Sequence, residues 1–146
     1  LATSAAFTHG MPNFDTVPPA PTYAHDVTIY HAMPHGLRTP LRQKVRAGLY
    51  VDVGPVQDQA RKALAAHASQ KDWLDKSQGM DSYLHTLDKM SAAVGALSGK
   101  YALAQGWCRH HHLGYSASEI DPLRSALGSD CVVDAVYEAA LEHPLP

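Results

Sequence analysis

Cysteine is scarce in this chain. Cys108 and Cys131 are the whole complement, too few for a disulfide framework, and two reduced thiols fit a cytoplasmic protein. An excess of charge of one sign is lacking too. Twelve lysines and arginines face fourteen acids, for a formal net charge of −2. A dedicated nucleic-acid binder carries a strong basic excess, so no nucleic-acid partner is expected. No apolar run approaches the roughly 20 residues of a membrane span, so no membrane partner is expected either. Leu1 to Phe7 lacks the charged start and apolar core of a signal peptide. The first residue is Leu1, not Met, and the chain is expected to be cut, processed or an incomplete record of its sequence. There is no internal repeat and no low-complexity tract. What is present reads as globular: 45% hydrophobic and 18% charged residues argue against disorder, and 146 residues suffice for one domain with a core.

Local patterns divide the chain into short elements. The Ala-rich start stops at Gly10 and reads as the last turns of a helix. Pro12, Pro18, Pro19 and Pro21 make residues 11–22 an extended surface connection. Val27-Thr28-Ile29-Tyr30-His31-Ala32 is β-branched and aromatic without clean alternation, which predicts a strand buried on both faces, as in a parallel sheet. A loop is expected over residues 33–49, then a second strand at Tyr50-Val51-Asp52-Val53. Gly54-Pro55 opens a helix whose buried face would carry Val56, Ala60, Ala63, Leu64 and His67. Residues 69–79 read as a loop. The strongest helical pattern runs over residues 81–103, with Tyr83, Leu87, Met90, Val94, Leu97 and Tyr101 in one stripe. Gly95 and Gly99 inside it point to close packing of a neighbour. An extended segment around residues 107–114 follows, and a brief helix opens at Asp121-Pro122. A last helix is predicted over residues 131–142, buried through Val133, Val136, Tyr137, Ala140 and Leu141 and ended by Pro144. Strands interleaved with helices give an α/β class, with too few strands for a complete doubly wound sheet.

Ten histidines raise the question of a metal. Zinc needs three or four converging donors. On a strand, His110 and His112 would share a face with His111 pointing away, which is a partial site at most. His35 lies in a Pro-His-Gly turn from which its imidazole projects. Arg38, Arg42, Lys44 and Arg46 form a basic segment without an acid. Arg38, held beside the His35 turn, offers a planar fork for a carboxylate, phosphate or vicinal hydroxyls. Cys108 adjoins Arg109, but no nucleophile-elbow glycine pattern surrounds it.

Several segments taken in order carry a resemblance. They are the Pro-rich lead-in, the strand before Pro34-His35-Gly36-Leu37-Arg38, Tyr50-Val51-Asp52-Val53, the helix ending in His67-Ala68-Ser69-Gln70, and Gly106-Trp107 followed by Arg109-His110. From about Pro12 to Tyr115 the chain resembles the C-terminal half of the LmbE/PIG-L family of zinc-dependent N-deacetylases. The resemblance implies a single partial domain over residues 1–146: the C-terminal part of a Rossmann-like three-layer α/β domain, with residues 115–146 as a helical extension. It implies removal of an acetyl group from an N-acetylated amino sugar or conjugate. It places His35, Arg38, Arg109, His110 and His112 on the substrate side of one pocket, so the two segments should approach each other. Gln105 and Cys108 stand where relatives tend to have an acid and a base.

The family's AHPDDE-type and HPDH-type motifs lie upstream of the matched region. No catalytic residue and no metal ligand is therefore carried over, and zinc is expected on a missing N-terminal half or a complementary chain in an oligomer. Residues 27–53 would pair with strands from that source. The alternatives are a non-catalytic binding or assembly subunit derived from the same fold, and a small His-rich metal-binding domain.

Overall fold

A computed structural model describes residues 1–78 and 83–142. Its centre is a four-stranded sheet: β1 (Tyr30–Ala32), β2 (Leu49–Asp52), β3 (Ala104–Arg109) and β4 (Cys131–Val133), in the order β1-β3-β2-β4. Every pairing is antiparallel, with Tyr30 opposite Arg109, Tyr50 opposite Gly106, and Leu49 opposite Val133. The class is thus mixed α/β, but the parallel arrangement expected for residues 27–32 is corrected. That strand is three residues long and lies at the sheet edge, with His31 and Ala32 exposed. Its mixed apolar pattern reflects a lead-in, Val27 to Ile29, that runs beside residues 110–115 outside the strand proper.

The helices are α1 (Ala2–Thr8), α2 (Gln57–Ala65), α3 (Ala68–Gln78), α4 (Tyr83–Ser98), α5 (Pro122–Leu127) and α6 (Ala135–Glu142). Residues 69–78, read as loop, are helical and form most of α3. The predicted start of the long helix at Asp81, Gly79 of the preceding loop, and Pro144 fall outside the described residues. The far end of α4 stops at Ser98, short of Leu103, because Gly99 takes a left-handed turn (φ 64°). The predicted last helix divides in two. Cys131 to Val133 pair with β2, and α6 begins only after Asp134, whose Oδ1 accepts from the backbone N–H groups of Val136 and Tyr137, both at 3.0 Å.

Helix α4 lies across β2 and β3, and the core forms there from Ala47, Tyr50, Val94 and Ala104. On α4 the buried positions are Tyr83, Ser91, Val94 and Gly95, while Leu97 is exposed. The buried face of α2 is rotated from the predicted one. Gln57 is buried and Val56 exposed, because Gln57 and Arg61 both bond the Asp88 carboxylate on α4. Val136 and Leu141 of α6 are exposed as well. The expectation that residues 27–53 need outside strands holds no longer for β2, which β3 and β4 flank on both sides. Only β1 keeps a free edge among those residues. Among the described residues no helix is long and apolar enough to cross a membrane.

Candidate functional site

The residues singled out in the sequence fall at opposite ends of β1. At its start, antiparallel pairing brings the end of β3 alongside: His110 N–H donates to Ile29 O at 2.9 Å, and Val27 N–H to Tyr115 O at 3.0 Å. Arg109, His110 and His112 therefore share one polar edge and line one small cavity with Thr28 and Tyr115. Since β3 ends at Arg109, the three histidines follow the strand rather than alternate along it. His31 and His110 are joined ring to ring, Nε2 to Nδ1 at 2.9 Å, and Tyr115 packs edge-on against His110 with centroids 5.2 Å apart.

Arg109 is committed within the chain. Its guanidinium donates to Glu119 Oε1 at 2.8 Å and to Ile120 O at 3.0 Å, so it does not reach out to activate the neighbouring Cys108 thiol. Beside it, Tyr30 Oη donates to Asp121 Oδ1 at 2.6 Å and accepts from Leu123 N–H at 3.2 Å. Burial first, then the Asp121 hydrogen bond, pushes the Tyr30 phenol up to about 12. Asp121 also caps α5 by accepting from Arg124 N–H at 3.0 Å. The Asp-Pro start of that helix was readable in the sequence; the partnership of Tyr30 with Asp121 across 91 positions was not.

At the far end of β1, Met33 N–H donates to Gly106 O, and the chain turns through Pro34-His35-Gly36-Leu37. His35 borders a groove of about 410 Å³ with Leu64, Leu74, Tyr83, Leu87 and Met90. Leu87 and Met90 also line an adjoining groove of about 210 Å³ that reaches Met33, Gly106 and Trp107. The two make a largely apolar trough along α4. Arg38 is exposed just beyond, its Nη1 donating to Arg42 O at 2.8 Å within a tight loop closed by Arg38 and Lys44. The expected approach of the His35 turn to residues 109–112 is thus not made within this chain. Met33 and Ile29 bond opposite ends of the β3 segment, and the two groups line different cavities.

Neither thiol stands in an activating setting. Burial raises the Cys131 thiol above its ordinary value, and Cys108 Sγ donates to Arg46 O at 3.5 Å. The Tyr137 phenol is pushed up to about 12, by burial first and then by its hydrogen bond with Cys108. Among the described residues no three His, Cys, Asp or Glu side chains converge as metal donors. His31 and His110 each spend a ring nitrogen on the other. The described residues do not fit a zinc site of three or four converging donors. Compared with models of known families, with curated proteins and with solved structures, the chain has no match.

Proposed function

We propose that this chain is the C-terminal part of a zinc-dependent N-deacetylase of the LmbE/PIG-L type, acting on an N-acetylated amino sugar or conjugate. In this reading it supplies the outer strands and one wall of the substrate pocket. The metal and the general base come from a segment outside this sequence or from a complementary chain, and no residue here takes a catalytic part. The ordered run of short sequence resemblances supports the family. The observation that carries the incomplete state is the surface: the chain exposes 10445 Å². A compact monomer of 15.8 kDa exposes about 7,300 Å². Much of that surface belongs to residues 10–26, all of them exposed, and added structure would cover that arm together with the free edge of β1. His35 and Arg38 then border the junction, within reach of a hydroxyl-rich or anionic group. Arg109, His110 and His112 brace the opposite end of the strand.

The test is reconstitution. The purified chain, given zinc and N-acetylglucosamine, should release no acetate. Co-expressed with a polypeptide carrying the AHPDDE-type and HPDH-type segments, it should form a stable complex that releases acetate and stops when a chelator is added. Acetate release by the chain alone would overturn the division of labour. No complex, with the chain remaining folded and monomeric, would overturn the enzyme reading in favour of a binding or assembly module.

A further inference from the structure

The lead-in to β1 is pinned to the histidine loop on either side of Thr28. Val27 N–H bonds Tyr115 O at 3.0 Å, and His110 N–H bonds Ile29 O at 2.9 Å. Between these two bonds the segments do not close completely, and a cavity of about 10 Å³ remains. That is room for one water molecule and nothing larger. Two of the side chains lining it hold polar atoms that are shielded from solvent and have no hydrogen-bond partner in the protein: Thr28 Oγ1 and His112 Nδ1. The His112 backbone carbonyl, in contrast, is used twice, accepting from Tyr115 N–H at 2.9 Å and Ser116 N–H at 3.0 Å. The loop is therefore well bonded around an imidazole nitrogen that is not.

Leaving a buried hydroxyl and a buried imidazole nitrogen unpaired is costly, and a water with two to four polar neighbours removes that cost. We propose that this cavity is a binding site for a single resident water, hydrogen-bonded to both Thr28 Oγ1 and His112 Nδ1. The water is the third tie between the β1 lead-in and the histidine loop. His112 is thereby held by solvent from within and is a positioned residue rather than a free surface histidine. This inference does not depend on the deacetylase reading.

The chain itself, in solution and as crystals, is the material for the test. A crystal structure that orders solvent should place one water within hydrogen-bond distance of both atoms. In solution, a long-lived water should give a cross-relaxation peak to the Thr28 methyl group. Thr28→Ser should keep the water, and Thr28→Val, which preserves shape but removes the hydroxyl, should abolish the cross-relaxation peak. A dry cavity in the wild-type chain would overturn the proposal. So would a direct bond from Thr28 or His112 to a protein group, or a water retained unchanged in Thr28→Val.

Discussion

The imidazoles of His31 and His110 hydrogen-bond each other across β1 and β3, Nε2 to Nδ1 at 2.9 Å, although 79 positions separate them. The register explains the meeting. His31 lies opposite Cys108, so His110 is its diagonal neighbour on the same face, within reach of a long side chain. The bond needs one ring to donate and the other to accept, so at least one imidazole of the pair is neutral while it lasts.

A double-mutant cycle measures that tie. His31→Ala and His110→Ala should each destabilise the chain, and the double variant should lose less than their sum. A coupling of about 0.5–1 kcal/mol is expected for an exposed neutral hydrogen bond. Urea midpoints of the four proteins give the value. Strict additivity would show that the contact contributes nothing in solution.

Asp134 joins the last strand to the last helix and makes stability depend on acid. Burial alone pushes its carboxyl up, but the hydrogen bond from Arg46, the backbone N–H groups of Tyr137 and Val136 and the Arg46 charge together hold it below the ordinary value. A carboxyl depressed in the folded state stabilises above its unfolded value of about 3.9 and loses that contribution as pH falls through the lower native value. Asp134→Ala should cost about 1–2 kcal/mol near neutrality, mostly through the lost cap. The gap between variant and wild-type urea midpoints should narrow on going to pH 3. A gap independent of pH would remove the electrostatic part of this account.

Gly95 and Gly99, four residues apart, should respond to alanine for different reasons. A Cβ on Gly95 would lie 2.5 Å from the carbonyl oxygen of Ala102, which is backbone and cannot swing aside. Gly95→Ala should destabilise by about 1–3 kcal/mol, exceeding the helix-propensity gain of about 1 kcal/mol. Gly99 has open space around it but φ of 64°, so alanine there should cost about 1–2 kcal/mol through strain alone. Gly99→Asn should recover part of that loss, and Gly95→Asn should recover none. Thermal unfolding of the four variants separates the cases.

These two glycines also mark what was legible in the sequence. Both read as sites of close packing; Gly95 is one, and Gly99 is the helix terminator that a period count overran. Strands near residues 30 and 50 were readable from β-branched and aromatic clusters, while the third, expected only as an extended segment over residues 107–114, runs from Ala104 to Arg109. Their direction was not readable, because antiparallel pairing of β2 with β3 spans three helices and leaves no local signal. Residues 69–78 were taken for loop because their apolar side chains are few and Trp73 is exposed, so no stripe announces α3. The candidate residues were chosen as chemically able groups. Which of them meet was fixed by register: Arg109 opposite Tyr30 sends the histidines to one end of β1 and leaves His35 at the other.

That separation gives the two arginines different expected roles. Arg38 is exposed, and its one hydrogen bond in the described structure, from Nη1 to Arg42 O at 2.8 Å, leaves other guanidinium N–H groups free to bond a ligand. If the chain reconstitutes the proposed deacetylase, Arg38→Ala should weaken substrate binding by about 1–3 kcal/mol, the scale of a lost charged hydrogen bond. Its zinc content should not change, since a guanidinium is no ligand for the metal. Arg109 is already bonded to Glu119 and to Ile120 O. Arg109→Ala should act on folding instead, lowering the urea midpoint of the isolated chain while leaving the Michaelis constant of the assembled enzyme near wild type. Michaelis constants, zinc by mass spectrometry and unfolding midpoints for both variants decide the matter. An Arg109 variant that raises the Michaelis constant at unchanged stability would move the substrate contact to the histidine end of the strand.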